Sequence, residues 1–409
     1  MVCYTMKNKS KQKSGSNVSV DIFGCPRFFF CLIRQKEENV MVEFITNVNS
    51  AVNGFVWGVP MLVLLVGTGI LMTILTKFFQ LSHLGHWFKN TVGGIFHDKH
   101  VTKHTEAGDQ SISQFQSLCT ALAATIGTGN IVGVASALVA GGPGAIFWMW
   151  VVAFFGMMTN YSENVLGIYY RRRNSRGEWS GGAMYYLKDG LGSYKGCKQI
   201  GAVLAVLFSA FCLLASFGIG NMSQVNSIAA NMTSAFSIPA TVTGIVLVII
   251  GALVIVGGLK RIAAVTEKLV PFMAIAYVIG ALVIFFANIN HMGAVFTAIF
   301  KGAFGLRAVG GGIVGSGVKL ALTWGMKRGV FSNEAGLGSS VMVHSSSNVK
   351  EPVRQGMWGI FEVFADTMVV CTLTAFAVLS SGLIDLDTGA VLVDVSGSAL
   401  VGQAFATVF

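Results

Sequence analysis

The chain has 409 residues, of which 53% are hydrophobic and only 11% are charged, against about 25% charged in ordinary soluble domains. A soluble protein of this length needs a charged surface, so the composition excludes that class and indicates a membrane protein. The formal net charge is +10. The Lys and Arg residues cluster in short stretches between apolar runs, which is typical of loops whose charge sets the orientation of a membrane protein. No nucleic-acid partner is therefore expected.

The first 40 residues do not fit the pattern of the rest of the chain. Two basic stretches, KNKSKQK and RQKEEN, flank the apolar piece FFFCLI, which is too short for a signal peptide. We interpret residues 1–40 as an extension upstream of the natural start and expect them to be disordered. The transporter domain is then expected to begin at Met41 and to extend through residue 409.

Long apolar runs recur from there to the end of the chain. A bilayer core of about 30 Å requires about 20 helical residues, and eight runs satisfy this requirement, with a ninth incomplete. The stretch 78–105 mixes aromatic and polar residues and predicts either an amphipathic helix at the membrane interface or a soluble loop. The predicted spans are 55–76, 112–140, 144–170, 200–233, 238–258, 262–287, 310–345 and 355–382, with a partial span at 397–409.

Basic residues alternate between successive loops. Loops 77–111 and 171–198 carry four and seven Lys or Arg residues, whereas loop 234–237 has no charge and loop 383–396 carries three Asp residues. By the positive-inside rule, the basic loops are cytoplasmic. The second span is therefore expected to rise from the cytoplasm.

Two spans contain glycine-rich, polar stretches at membrane depth. The second is interrupted at Gly127–Asn130 and the seventh around Thr323–Gly329. Unwound backbone in a membrane is tolerated only around a protein-enclosed site, where freed N–H groups suit a carboxylate and freed carbonyls suit a cation. Breaks five spans apart predict an inverted five-plus-five repeat. For the second span alone, close helix packing through Gly129 and Gly133 is the alternative.

Polar side chains within the spans are further candidates, because such groups face a bundle interior or a pathway. Gln224 is a candidate substrate ligand, with an interhelical hydrogen bond as the alternative. Trp324 is expected to form a wall against the substrate side chain. We expect gating contacts or structural ion pairs for the carboxylates Glu163, Glu267, Glu334, Glu362 and Asp366.

Four blocks carry a resemblance that covers the chain from about Met41 to Phe409. GTGNIVGVASALVAGGPGAIFWMW, YSENVLGIYYR, GGAMYYLKDGLG and WGMKRGVFSNEAGLGSS resemble the alanine or glycine:cation symporter family. The resemblance implies an all-α membrane protein with the fold of the bacterial leucine transporter. In that fold, one peripheral N-terminal helix precedes ten helices in two inverted repeats. Because this chain stops inside the ninth span, the last helices are expected to be missing.

The resemblance also implies positions for the two ligands. It places backbone carbonyls near Ala124 and Gly127 around the coupling cation, with hydroxyl partners from the ninth span. Neither a cofactor nor a transition-metal site is expected. The amino-acid site implied by the resemblance comprises Thr128, Gly129, Asn130, Gln224, Trp324 and Gly325.

The predicted function is a secondary active symporter that moves alanine or glycine with Na⁺ into a prokaryotic cell by alternating access across the plasma membrane. No carboxylate lies in the GTGN break, which favours Na⁺. Two alternatives remain, namely H⁺ coupling and a non-transporting amino-acid binder, the latter because of the truncation. An enzyme is disfavoured because five of the seven His residues lie in stretch 83–104 and no HExxH motif occurs. A channel is disfavoured because broken helices within one chain favour alternating access over pore-lining rings.

Overall fold

The computed structural model describes residues 26–103, 111–218, 220–305, 314–395 and 397–409. The expected disorder of residues 1–25 therefore lies outside the described residues, as does the start of the seventh predicted span. The described residues are almost entirely helical, with one small antiparallel pair formed by strands β1 (Arg172–Arg173) and β2 (Trp179–Ser180).

The α-helices are numbered in chain order. They are α1 (Pro26–Val56), α2 (Val59–Leu75), α3 (Phe79–Ser82), α4 (Leu84–Asn90), α5 (Val92–His97), α6 (Lys99–Thr102), α7 (Gln114–Thr125), α8 (Val134–Gly141), α9 (Gly144–Tyr169), α10 (Ala183–Tyr185), α11 (Lys198–Ser216), α12 (Met222–Phe236), α13 (Ala240–Ile255), α14 (Gly258–Ala287), α15 (Met292–Phe304), α16 (Val314–Asn333), α17 (Ser340–His344), α18 (Pro352–Val363), α19 (Thr372–Ser380) and α20 (Ser398–Ala406). Three π-helical segments occur at Gly129–Gly133, Tyr186–Gly190 and Phe364–Cys371, and short 3₁₀ turns at Leu191–Ser193 and Ile289–His291.

Residues 26–40 were expected to be disordered but are helical, because they form the first half of α1. Pro26 occupies the first helical position, where its missing N–H removes no helix hydrogen bond. No glycine follows until Gly54, so no residue type that disfavours helix interrupts the segment. Residues 61–409 form a separate compact unit, which contains every site considered below.

Five helices in the described residues are long and apolar enough to cross a membrane. A sixth span results if the bent pair Gln114–Thr125 and Gly129–Gly141 is counted as one. The chain is therefore a multi-pass, all-helical membrane protein. The five are Met41–Leu75, which comprises the second half of α1 and all of α2, and α9 (Gly144–Tyr169), α11 (Lys198–Ser216), α14 (Gly258–Ala287) and Pro352–Ser380, which comprises α18, the following π-helical segment and α19. Helix α13 (Ala240–Ile255) is apolar but shorter.

The predicted single span over 200–233 is divided into two helices. Helix α11 ends at Ser216 and α12 begins at Met222. Gly218 and Gly220 lie between them, and each glycine disfavours helix by about 1 kcal/mol relative to Ala. Helix α12, which is rich in amide and hydroxyl side chains, is therefore separate from the apolar helix α11.

The predicted break at Thr323–Gly329 is also wrong in its position. Helix α16 is continuous through these residues. A Cβ atom at Gly325 would lie 2.3 Å from the Ala145 carbonyl oxygen, and one at Gly329 would lie 3.4 Å from Met149 Cα. The two glycines, four residues apart, therefore serve close packing of α16 on α9.

The observed break in this region follows α16, between Glu334 and Ser339. Its backbone is left-handed at Glu334 (φ 54°), Gly336 (φ 89°) and Gly338 (φ 74°). Such a conformation is favourable for glycine and costs roughly 1 kcal/mol at a residue such as Glu334. Residues 334–339 (EAGLGS), predicted to be helical, therefore form a compact turn between α16 and α17.

Stretch 78–105 forms four short helices, α3–α6, where one amphipathic helix or a loop was predicted. The left-handed conformation of Phe78 (φ 57°) precedes α3. Trp87 anchors the group: its side chain is 3% exposed, its Nε1 donates to the Gln80 carbonyl at 3.0 Å, and its ring meets Phe364. These short helices are thereby held against the helix that contains Phe364.

Helix α9 lies at the centre of the described bundle and packs against both α16 and α18. Small residues on its faces permit this close packing. Side chains such as Met149 and Met158 are almost fully buried. Because α16 and α18 are both fixed against α9, Ser332 at the end of α16 and Asp366 just after α18 are held in defined positions.

Candidate functional site

The break in the second predicted span is confirmed. Helix α7 begins at a capping box formed by Ser113 and Gln116 and ends at Thr125, and the chain bends by 46° before the next helical segment. Asn130 stabilises the bend, because its Oδ1 accepts a hydrogen bond from the Gly127 N–H at 2.8 Å. A side chain thus replaces the carbonyl that would accept this N–H in a continuous helix.

Gln224 lies against the same break, although it is almost 100 residues away in sequence. Its Oε1 accepts a hydrogen bond from the Thr128 N–H at 3.2 Å. A Cβ atom at Gly127 would lie 2.5 Å from Gln224 Nε2, so a larger residue at position 127 would displace the Gln224 amide from this position. The structure therefore brings together Thr128, Asn130 and Gln224, as the sequence predicted, while their substrate contacts stay a prediction.

The amide of Asn130 points to a buried carboxylate. Its Nδ2 donates to Asp366 Oδ1 at 2.6 Å. Asp366 Oδ2 accepts from Ser332 Oγ at 2.8 Å and from Thr367 Oγ1 at 2.7 Å. We call Asn130, Ser332, Asp366 and Thr367 the Asp366 cluster; each of its side chains is at most 1% exposed.

The Asp366 cluster has hydrogen-bond donors but no cation. In the part of the chain that the structure describes, the ion pairs involve other residues, and no Lys, Arg or His lies within pairing distance of Asp366. Hydrogen bonds to a charged group stabilise it by about 1.5–3 kcal/mol each. They do not cancel its charge, and the penalty for burying an ion is several kcal/mol.

Two π-helical segments and the end of α16 converge on this cluster. Asn130 belongs to the π-helical segment Gly129–Gly133 and Asp366 to the π-helical segment Phe364–Cys371. A Cβ atom at Gly129 would lie 3.1 Å from Ser332 Cα, so glycine lets the break approach the end of α16. Wide π-helical turns are rare and occur often at functional sites, which agrees with a site at this crossing.

Two predicted site residues lie elsewhere on α16. Trp324 precedes Ser332 by eight residues, about 12 Å along a helix. Its Cβ lies 3.0 Å from where a Cβ at Gly141 would be, and the Arg328 guanidinium carbon lies 5.4 Å from the ring centroid. Gly325 is helical and faces α9, so it does not provide the unwound backbone that was expected there.

The predicted cation ligands lie at the end of α7. Ala124 is in the last turn, where carbonyl groups have no partner within the helix, and Gly127 follows two residues after the helix ends. Thr125 Oγ1 is buried and has no hydrogen-bond partner. The break therefore adds one free hydroxyl to the predicted backbone oxygens, and sequence reasoning missed it.

The second break is held by residues from two other helices. The Gly336 N–H donates to Glu163 Oε2 of α9 at 3.0 Å. Asn333 Nδ2 donates to Thr367 Oγ1 at 3.2 Å, and its Oδ1 accepts from the Ala335 N–H at 3.1 Å. The turn is thus connected to the Asp366 cluster through Thr367. The contact of Glu163 is to a backbone N–H, and its expected role in gating or in an ion pair stays a prediction.

Sequence reasoning named Asp366 only as a gating or ion-pair residue and did not name Ser332 or Thr367 at all. A carboxylate inside an apolar span, in FEVFADT, was the available signal. Among the described residues, no group of three or more His, Cys, Asp and Glu side chains is arranged to hold a metal ion. The oxygen atoms of the cluster suit hard cations, whereas transition metals favour sulfur or imidazole ligands.

Comparisons with known proteins agree with these features. The model of the sodium:alanine symporter family matches residues 42–409. The sodium/alanine symporter AgcS of Methanococcus maripaludis is 46% identical over 364 residues, which cover 89% of this chain and 76% of that protein. The putative sodium/proton-dependent alanine carrier YrbD of Bacillus subtilis is 39% identical over 84% of this chain and 65% of its own length. The probable sodium/glutamine symporter GlnT of Bacillus subtilis is 35% identical over 83% of this chain and 67% of its own length. The chain therefore belongs to the sodium:alanine symporter family and is a membrane transport protein, not an enzyme.

Proposed function

We propose that the chain is a secondary active symporter that carries alanine or glycine together with Na⁺ across the plasma membrane of a prokaryotic cell. One observation carries this proposal: a broken helix meets a buried carboxylate that has no basic partner among the described residues. The family and the printed names of the relatives support the amino-acid and sodium assignments. The loop charges support an orientation in which the basic loops lie on the cytoplasmic side.

The coupling cation is proposed to offset the charge of Asp366. A lone carboxylate at this depth is unfavourable by several kcal/mol, and a bound cation removes that penalty. The carbonyls of Ala124 and Gly127 and the hydroxyl of Thr125 lie on the adjoining break, where they add neutral oxygen ligands. This proposal revises the expectation of a cation site built without a carboxylate.

The amino acid is proposed to bind at the break itself. The N–H groups of Thr128 and Gly129 lie at the start of a helical segment, where the partial positive charge favours a carboxylate. At present the Thr128 N–H is bonded to Gln224 Oε1, so a substrate carboxylate would replace this contact and accept from Gln224 Nε2 instead. The close approach of Gln224 to Gly127 leaves room for a small side chain only.

Trp324 is retained as a proposed selectivity residue on α16. Its ring has a cationic neighbour on one face, because Arg328 lies over it. Phe331 shares this neighbour at 5.7 Å. A substrate side chain larger than a methyl group would meet this aromatic and basic surface as it extends from the break along α16. Gly325 then acts indirectly, by fixing the position of α16 against α9.

Alternating access is proposed to use both breaks. The first lies within the second predicted span and the second lies within the seventh, which supports an inverted repeat of the leucine-transporter type with an additional N-terminal helix. Both breaks contact the Asp366 cluster, through Asn130 and Asn333. Binding of cation and substrate at this cluster is therefore expected to change the orientation of the segments on either side of each break.

The direct test is binding of radiolabelled alanine to the purified chain in lipid nanodiscs, with Na⁺ or choline at equal ionic strength. We expect affinity to fall about tenfold or more in choline, a loss of about 1.4 kcal/mol. Full recovery in choline at lower pH would assign coupling to H⁺ instead. Equal affinity under all three conditions would contradict cation coupling.

A second measurement separates a carrier from a binder. Proteoliposomes that contain the chain are loaded with unlabelled alanine and exposed to labelled alanine with Na⁺ on both sides. We expect counterflow, because exchange requires alternating access but no net ion gradient. Binding without counterflow would identify the chain as a non-transporting binder. Competition by glycine and glutamine in the same assay measures the substrate range.

A further inference from the structure

A second buried polar cluster is centred on Glu362, which lies at the end of α18 and precedes Asp366 by four residues. Glu362 Oε2 lies 3.1 Å from His344 Nε2 and accepts from Asn160 Nδ2 at 3.0 Å. All three side chains are 0% exposed. Four residues correspond to about 6 Å along a helix, so this His344–Glu362 cluster is a neighbour of the Asp366 cluster and is displaced toward the basic loops.

The His344–Glu362 cluster contains polar atoms with no partner. Glu362 Oε1, Gln355 Oε1 and both amide atoms of Asn164 are buried and make no hydrogen bond. Buried polar groups are rarely unpaired in folded proteins. Such a concentration indicates a site whose occupancy changes. Because a proton needs no cavity and forms a new donor where it binds, it is the ligand that suits a closely packed cluster of this kind.

The charges of the cluster also favour a proton as its ligand. Glu362 is fully buried, and among the described residues its one basic contact is His344. If His344 is neutral, the cluster carries an uncompensated negative charge in a low-dielectric environment. If His344 carries a second proton, the two side chains form a neutral ion pair.

Other carboxylates near the cluster increase this demand for a positive charge. Asp366 lies on the same helix face as Glu362, and Glu163 of α9 and Glu334 of the second break lie on neighbouring segments. The side chains that hydrogen-bond directly to the pair are neutral, namely Asn160 of α9, Ser117 of α7 and Gln355 of α18. The basic Arg171 lies on the other side of the end of α17, where it donates to the Ser345 carbonyl.

We propose that His344 and Glu362 form a proton-binding site, separate from the Asp366 cluster, whose proton holds α17 against α9 and α18. The proton comes from water on the side of the basic loops and forms an N–H bond at His344 Nδ1. On release it returns to water, so no other reactant is required. This site does not depend on which amino acid or cation the chain carries.

Gln355 can serve both protonation states. Its Nε2 lies 2.6 Å from His344 Nδ1, so it donates to the neutral ring while the Nε2–H of His344 donates to Glu362. Rotation of the Gln355 amide by half a turn places Oε1 at the same position, where it accepts from a protonated Nδ1. This rotation also supplies a partner for Oε1, which otherwise has none.

The position of His344 means that binding of this proton affects how firmly α17 is attached to its neighbours. His344 ends α17, the short helix that follows the second break. Ser340, at the start of α17, donates to Asn160 Oδ1 at 3.2 Å. Asn160 therefore contacts both α17 and Glu362, and loss of the proton weakens the attachment of α17 to both neighbouring helices.

The proton is observed directly by ¹⁵N NMR of histidine side chains in the nanodisc-embedded chain. Loss of a signal in His344→Gln assigns that signal to His344, and the exposed His97 is the internal reference. We expect conditions under which His344 is doubly protonated in wild type but singly protonated in Glu362→Gln, because the neighbouring carboxylate favours the charged ring. A His344 signal that is neutral throughout, or unaffected by Glu362→Gln, would overturn the proposal.

The attachment of α17 is measured by maleimide labelling of Cys371, which is 2% exposed beside the Asp366 cluster. Mass spectrometry gives its rate relative to the half-buried Cys212. In wild type we expect this ratio to rise about tenfold when the pH is raised enough to remove the proton. Glu362→Gln should abolish the pH dependence, whereas Ser340→Ala, which removes a neutral hydrogen bond, should preserve it. A ratio independent of pH in wild type would show that the proton does not hold α17.

Discussion

The helix that begins at Pro352 passes two carboxylates in contrasting surroundings. Near its start, Arg354 donates to Asp98, and the two side chains are 31% and 28% exposed. Near its middle, Asp366 is fully buried among neutral donors. One carboxylate has a cation supplied by the chain, whereas the other has a charge that the described residues leave uncompensated.

This difference separates a structural ion pair from a ligand site. A partly exposed pair such as Asp98–Arg354 contributes about 0–1 kcal/mol, and the chain can lose it without consequence for a buried charge. The burial of Asp366 without a cation opposes folding by several kcal/mol. A residue that opposes stability this strongly is retained for binding, and the cation is expected to enter from solution.

The largest effect is predicted for Asp366→Asn. The substitution preserves the shape of the side chain but removes the charge, so alanine affinity in Na⁺ should fall by about 100-fold, or about 2.7 kcal/mol. The ratio of affinities in Na⁺ and choline should approach one. The melting temperature should stay the same or rise, because a buried charge is lost. Binding of radiolabelled alanine and thermal unfolding measure these effects.

Asp189→Asn is the matched control, because Asp189 is a carboxylate paired with Arg172 in an exposed loop. It should change neither the affinity nor the Na⁺ dependence. If Asp366→Asn retained the wild-type ratio of alanine affinities in Na⁺ and in choline, Asp366 would not bind the cation. Asp366 and Asp98 would then differ only in how deeply they are buried.

A smaller effect is predicted for Gly325→Ala, which tests whether rigid packing of α16 positions Ser332 beside Asp366. The new methyl group would lie 2.3 Å from the Ala145 carbonyl oxygen, and overpacking of this kind destabilises by about 1–3 kcal/mol. We expect a lower melting temperature and weaker alanine binding. Gly317→Ala is the control on the same helix, because no atom lies within 4 Å of its position. Equal melting temperatures for the two variants would contradict the close contact.

Gln224→Leu should have a more moderate effect, limited to the amino acid. It removes the Nε2 group that is proposed to donate to the substrate carboxylate, and a lost hydrogen bond of this kind weakens binding by about tenfold. The dependence on Na⁺ should be preserved, in contrast to Asp366→Asn. Asn231→Ala serves as the control, since Asn231 is exposed on the same helix and donates to the Ser227 carbonyl one turn earlier. Loss of the Na⁺ dependence in Gln224→Leu would place the cation at Gln224 instead.

The first break was predictable because its signal is local. Gly127 and Asn130 lie within one helical turn, and the amide closes the bend by accepting from the Gly127 N–H. The second break was misplaced because glycines have two uses that the sequence alone does not distinguish. Gly325 permits helix packing, whereas Gly336 and Gly338 adopt left-handed backbone.

The composition of the Asp366 cluster was not predictable for a different reason. Asn130 and Asp366 are 236 residues apart, and nothing in either segment indicates that the other is its partner. The chain position of Gln224 likewise gave no information about its distance from Thr128, yet a polar side chain in an apolar helix was enough to select it. Membership of the family and the all-helical membrane class were predictable from sequence blocks and composition alone.

The smallest effect is predicted for Asp98. Its pKa is held below the usual carboxylate value by the His100 N–H, which donates to Oδ1 at 2.9 Å, and by the neighbouring Arg354 guanidinium. A lowered pKa means that the stabilisation is complete above the unfolded value of about 3.9 and is lost as pH falls through the lower folded value. Asp98→Asn should therefore lower stability by less than about 1 kcal/mol at neutral pH, and the difference from wild type should vanish in acid.

Thermal unfolding of both variants across this pH range tests the contrast between the two carboxylates, because the substitutions have opposite signs. Asp98→Asn removes a charge that the chain compensates and is mildly destabilising above the pKa of Asp98. Asp366→Asn removes a charge that it does not compensate and is neutral or stabilising without Na⁺. If both substitutions lowered the melting temperature equally in choline, Asp366 would have a structural cation partner of its own, and a coupling cation would no longer be required at that site.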